Sequence, residues 1–136
     1  ALNPSPFNGR ITALDLSLID YIILNETEGK EITGKTEPDD IISDLLSRFP
    51  EMKITLTLGS RGSRHADRDT CAEQEIFKTK VIDTTAAGDT FTGYFYFSLL
   101  SGKSPEESLK IASKAASITV SRKGAAPSIP SAAEVF

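Results

Sequence analysis

The stretch Asp83-Thr84-Thr85-Ala86-Ala87-Gly88-Asp89-Thr90-Phe91 sets a run of small residues and an aspartate at the head of an aromatic-rich segment that reads as a helix to about Leu100. Small residues let a ligand come close to the main chain. Amides left unpaired at a helix start, with the helix dipole behind them, make an anion site. An acid at that terminus is placed to take a proton from a hydroxyl while the amides stabilise charge on a migrating phosphoryl group. The same letters also read as an ordinary helix N-cap, worth about 1 kcal/mol. The residues alone leave both readings open.

On either side of this stretch, strands and helices alternate. Residues 11–19 are apolar at mixed spacing and predict a short helix. Asp20 to Leu24 is a short continuous apolar run, the form of a buried parallel strand. Asn25 is placed to cap a helix over 26–33 that Gly34 stops. Pro38 opens a second helix that ends at Pro50, with Ile41, Ile42, Leu45, Leu46 and Phe49 on its apolar face. Lys53 to Leu58 is a further strand, broken at Gly59. Residues 63–80 are polar, and Asp67-Arg68-Asp69 predicts the turn of a hairpin. Ser104-Pro105-Glu106-Glu107 starts a helix that runs to about Ser121. This order points to an α/β layered sheet packed by helices.

Composition narrows the function classes. The 136 residues are 39% hydrophobic and 25% charged, a globular profile. Fifteen Lys+Arg against 19 Asp+Glu give a net charge of −4, a poor match to nucleic acid or an anionic membrane. No apolar run approaches the ~20 residues that span a bilayer. The single Cys71 allows no internal disulfide and fits a reducing compartment, so a cytoplasmic protein without a secretory leader is expected. The lone His65, between Arg64 and Asp67, is expected as a solvated turn residue. Phe91, Tyr94, Phe95, Tyr96 and Phe97 have helical spacing and no interleaved basic residues, which suits core packing over base stacking. The opening Leu2-Asn3-Pro4-Ser5-Pro6 reads as the exit from a strand. Residues 131–136 read as the first turns of a helix, so a piece of a longer protein is expected.

Gly29-Lys30-Glu31-Ile32-Thr33-Gly34-Lys35-Thr36 fits the written phosphate-loop pattern, which would place Lys35 on phosphates and Thr36 on Mg²⁺. That loop works only between a strand and a helix. Here the strand ends before Gly29, and Pro38 pushes Glu37 towards extended backbone. A helix ending at Gly34 explains the letters better.

Four segments in order carry a resemblance that spans nearly the whole chain. Asp83 to Phe91 resembles the D-T-x-G-A-G-D signature of the ribokinase-like (pfkB) sugar kinases. Asn25-Glu26-Thr27-Glu28 resembles the family's N-x-x-E motif, and Thr57-Leu58-Gly59-Ser60-Arg61-Gly62 its T-L-G-x-x-G nucleotide loop. Ser121-Arg122-Lys123-Gly124-Ala125-Ala126-Pro127-Ser128-Ile129-Pro130 is similar to the C-terminal segment of ribokinases. Ala86 departs from the family's more usual glycine, and alanine is acceptable there if its φ is negative.

The resemblance implies a ribokinase-like, Rossmann-like three-layer α/β/α sandwich, of which residues 1–136 would be the C-terminal part of one kinase domain. The N-terminal half and lid would lie elsewhere. It further implies ATP-dependent phosphorylation of a sugar hydroxyl, with ribose favoured. Asp89 would be the general base, and the amides of Ala86, Ala87 and Gly88 the anion hole. Asn25 and residues Thr57, Leu58, Gly59, Ser60, Arg61 and Gly62 would contact ATP, both glycines admitting the nucleotide. Glu28 would organise Mg²⁺ through water. Asp83, Thr85, Thr119, Arg122, Gly124 and Ser128 match a monovalent-cation site for K⁺, Arg122 through its carbonyl alone. Family dimers use the lid, so a homodimer is a further possibility. The isolated chain is expected to be a poor catalyst, since orienting the hydroxyl supplies much of the barrier reduction. Two other classes stay open: a phosphate-loop nucleotidase using Lys35, and a regulatory or oligomerisation module without activity.

Overall fold

The computed structural model describes residues 1–5, 8, 11 and 14–136. The described chain divides into two compact units, Ala1–Gly59 with Arg64–Ala72, and Ser60–Ser63 with Glu73–Phe136.

In the first unit, β1 (Tyr21–Asn25) leads into α1 (Glu26–Thr33) and α2 (Pro38–Arg48), and the chain returns as β2 (Lys53–Thr57). β1 and β2 are parallel, with Tyr21 opposite Lys53 and Asn25 opposite Thr57. Ile22, Ile23 and Leu24 are all buried, as befits a strand covered on both faces. Ile22 and Leu24 meet Ile41 and Leu45 of α2 and Ile54 and Leu56 of β2 in one apolar cluster. β3 (Ser63–Ala66) and β4 (Cys71–Gln74) complete a four-stranded sheet in the order β1-β2-β3-β4. Asp67 shapes the intervening turn: its N–H donates to the Thr70 carbonyl, while its Oδ1 accepts from the amides of Asp69 and Thr70. On the free side of β1, Leu2 makes a parallel bridge to Ile22.

Both ends of α1 follow the sequence. Asn25 and Glu28 form a reciprocal capping box, and Gly34 closes the helix with a left-handed φ of 73°. This overturns the phosphate-loop reading. Gly29 lies buried inside α1, where an added Cβ would come within 2.9 Å of Ile41 Cγ2, so the glycine serves helix packing. Lys35 is exposed after the helix end.

Two further expectations fail. Of the helix expected over 11–19, the described residues 14–19 form a 3₁₀ turn at Leu16–Leu18, capped by Asp15. Thr12 and Ala13, like Pro6 of the opening segment, lie outside the described residues. His65 is not a solvated turn residue: it sits in β3 at 1% exposure, with Nδ1 2.9 Å from Thr55 Oγ1 and Nε2 3.8 Å from Asp67 Oδ2. Period-two alternation places His65 on the inner face of a strand too short and polar to be read from letters.

The second unit is helical. α3 (Ala87–Leu100) packs on α4 (Pro105–Val120), with Phe91 and Phe95 of the one and Leu109, Ala112 and Ala115 of the other buried, and α5 (Ala132–Val135) follows. Ser104 and Glu107 form a second capping box, with Pro105 at the first turn. The aromatic run is only partly core. Phe97 is 57% exposed and meets Phe136 edge-on.

Candidate phosphoryl-transfer site

In the first unit, the parallel register brings the two nucleotide-motif segments together at the carboxyl ends of β1 and β2, where ligands bind in open α/β sheets. Asn25 is exposed and its Oδ1 accepts the Glu28 N–H at 2.9 Å. Glu28 is 4% exposed, and its Oε2 accepts the Asn25 N–H at 2.9 Å. The motif is therefore first a helix cap, leaving Oε1 as the carboxylate oxygen outside the box. Thr57 Oγ1 reaches the Leu24 carbonyl at 3.4 Å. The Leu58 side chain belongs to the apolar core, so only its main chain is available to a ligand. Gly59 has open space around its Cβ position.

Ser60, Arg61 and Gly62 belong to the second unit. Gly62 is buried at φ 93°, and a Cβ there would lie 2.1 Å from the Gln74 carbonyl oxygen. The chain's own backbone fills the space expected for a nucleotide, so this glycine answers to folding.

The loop before α3 and the first turn of that helix hold the small residues and the acid of the segment from Asp83 to Phe91. Asp89 is exposed in the first turn of α3, not turned into the interior. Gly88 has open space around its Cβ position. The amides of Ala86, Gly88 and Asp89 have no carbonyl partner among the described residues, whereas Ala87 donates to the Thr84 carbonyl at 3.2 Å. The free donors thus include Asp89 in place of Ala87. The condition for alanine at 86 is not met: its φ is +62°, the left-handed region, where the methyl crowds the following carbonyl. The chain needs that turn to enter α3, and alanine tolerates it at a cost.

Of the six residues matched to a cation site, hydrogen bonds join Asp83, Thr85 and Gly124. Asp83 Oδ1 accepts from Thr85 N–H and Oδ2 from Gly124 N–H, each at 2.9 Å. With the Thr85 side chain foremost, these donors hold the Asp83 carboxyl at about 2. Arg122 N–H donates to the Thr119 carbonyl at 3.0 Å, and its guanidinium pairs with Glu134. Ser128 Oγ donates to the Ala125 carbonyl at 2.6 Å. Thr119 is fully buried, and its hydroxyl bonds the Thr90 hydroxyl and the Ala115 carbonyl.

Sequence reasoning missed four residues of this neighbourhood. Gly93 and Phe97 line a cleft of about 360 Å³ that opens at Asp89, and Tyr94, also on its wall, donates from its hydroxyl to the Pro130 carbonyl at 2.7 Å. Gly93 and Phe97 lie at four-residue steps from Asp89 on one helix, a spacing that could have found them. Glu134, whose carboxyl Arg122 and then Ser131 hold at about 2, gave no such signal.

The first unit carries nucleotide-type motifs at its strand ends, and the second, taken by itself, carries an acid beside open amides at a helix start. Residues 2–132 match the pfkB family carbohydrate kinase profile, and the chain belongs to that family. It is similar to ribokinase of Lactococcus lactis, at 35% identity over 134 residues that cover 98% of this chain and 42% of that protein. It is also similar to fructokinase-1 of Zea mays, at 36% identity covering 100% and 45%. The solved structure of Arabidopsis thaliana ribokinase complexed with ribose and ATP superposes with a TM-score of 0.81, at 38% identity over 88% of this chain and 40% of that one. The ribokinase-like α/β fold is thereby established. The chain spans less than half the length of these relatives and aligns to their C-terminal parts.

Proposed function

We propose that this chain supplies the nucleotide side, the phosphate cradle and the catalytic base of a carbohydrate kinase that transfers the γ-phosphoryl group of ATP to a sugar hydroxyl. Ribose is the favoured acceptor because the segment from Ser121 to Pro130 resembles that of ribokinases. The observation that carries the reading is Asp89 itself, an exposed carboxylate in the first turn of α3 beside the unpaired amides of Gly88 and Asp89. Its carboxylate takes the proton of the acceptor hydroxyl as that oxygen bonds to phosphorus. The bond from phosphorus to the ADP oxygen breaks, and the open amides stabilise charge on the transferring group. Asn25, Thr57 and the main chain from Leu58 onward hold the nucleotide in this reading.

The residues present fit the implied ions. Magnesium keeps most of its waters, and the Glu28 oxygen outside the capping box suits a water-mediated contact. Bound with ATP, Mg²⁺ neutralises phosphate charge. Asp83 and the carbonyls of Thr85, Thr119, Arg122 and Gly124, with Ser128, form an all-oxygen donor set suited to K⁺. A cytoplasmic setting completes the proposal.

The deciding variant is Asp89→Asn in the protein carrying this chain with the remaining family length. General-base catalysis contributes about 10²–10⁴-fold, so kcat should fall by that range while the Kd for ATP stays within about threefold. A variant that keeps wild-type kcat removes Asp89 from the chemistry.

A further inference from the structure

We infer that Asp83 is a positioning residue whose carboxylate clamps the loop ahead of Asp89 to the turn after α4, and so fixes the direction of the amides in the phosphate cradle. The inference rests on the kinase reading for its effect on turnover, but the clamp itself does not.

The geometry is bipartite. Asp83 Oδ1 accepts the Thr85 N–H within its own loop, and Oδ2 accepts the Gly124 N–H from 41 residues away. Each bond is 2.9 Å long, as expected of an ionised acceptor. A second attachment lies alongside, since the N–H groups of Ile82 and Asp83 reach the Val120 carbonyl at 2.7 and 3.2 Å. Residues 82–85 are thus held on one side by the last turn of α4 and on the other by Gly124. The next two residues have little freedom. Ala87 closes back on Thr84, and Ala86 makes the single left-handed turn that starts α3. The Thr85 peptide orientation therefore passes directly to the amides of Gly88 and Asp89. The resemblance alone gives Asp83 a role as cation ligand; the structure gives both of its oxygens main-chain donors. A ligand role and a clamp make different demands on a variant.

Amide hydrogen exchange on the 136-residue chain separates them without any turnover. In Asp83→Ala, the Thr85 and Gly124 amides should exchange at least about tenfold faster, the scale of losing a bond to a charged acceptor, while the Leu109 and Ala112 amides of α4 stay protected. In Asp83→Asn, one side-chain oxygen remains, so one of the two amides should stay slow. In the protein with the full family length, Asp83→Ala should lower kcat by about 10²-fold, with the KM for ATP within about threefold, as for a misplacement near 1 Å. Asp83→Asn should fall between. Unchanged exchange at both amides overturns the clamp, and faster exchange with unaltered kcat overturns the positioning role. Full recovery of kcat in Asp83→Ala by raised K⁺ overturns the positioning role, because cation binding at this loop then accounts for the whole effect without the main-chain bonds. If Asp83→Ala does not fold, Asp83→Asn carries the same comparison. A wild-type protein that phosphorylates no sugar overturns the kinase reading, and the exchange rates still decide the clamp.

Discussion

Ala86 holds a left-handed backbone at φ 62°, alone among the described non-glycine residues. A Cβ in that region costs about 1–2 kcal/mol, and glycine removes it. Ala86→Gly should therefore raise the denaturation midpoint, by about 1 kcal/mol after the greater chain entropy of glycine is subtracted. Urea unfolding of the two proteins measures this, and an unchanged or lower midpoint would show that the methyl is not strained. This residue also marks where sequence reading runs out. The letters at 83–89 disclosed an acid and small residues at a helix start, and the structure has both. They did not disclose the sign of one dihedral, because φ at Ala86 is set by the turn into α3. Nor did they show which amides pair. The Ala87 N–H is taken by a carbonyl three residues back, a contact that depends on loop geometry. Gly62 teaches the same lesson, since the Gln74 carbonyl that requires it is remote in sequence.

Among elements, α1 was legible from end to end because its signals are local. Asn25, Glu28 and Gly34 determine where it starts and stops within a few residues of each position. Gly29 was not, as its role is to let α1 approach Ile41 and Leu24. A helix interior gains about 1 kcal/mol from Gly→Ala, whereas overpacking typically costs about 1–3 kcal/mol. With Ile41 Cγ2 at 2.9 Å, the second effect wins, and Gly29→Ala should destabilise the fold by about 1 kcal/mol with ATP affinity unchanged. Calorimetry together with a nucleotide titration reads both. Lost nucleotide binding in a folded variant would revive the phosphate-loop reading. β3 was legible only as half of a hairpin: four residues of mixed polarity give no periodicity that reveals which of them face inward.

At the scale of the molecule, the first unit carries a pH dependence that composition conceals. Burial lowers the pKa of His65 from 6.5, against the opposing pull of Asp67; Lys53 adds to the lowering. The folded chain thus favours the neutral ring, and the unfolded chain binds the proton more readily. Stability is present in full above pH 6.5 and is lost as pH falls below it. Denaturant midpoints between about pH 7.5 and 5.5 should fall for the wild type and stay flatter for His65→Gln. Equal slopes would remove His65 as the cause. The family assignment worked at this scale because four separated motifs kept their order across the chain. The acceptor sugar is less legible, since this chain resembles a ribokinase and a fructokinase to nearly the same degree.

The reciprocal box at the start of α1 has an evolutionary corollary. Asn25 and Glu28 each satisfy the other's main chain, so a substitution at either strands an amide at the partner. A change at one position would therefore favour a compensating change at the other, whether or not any nucleotide ever touches them.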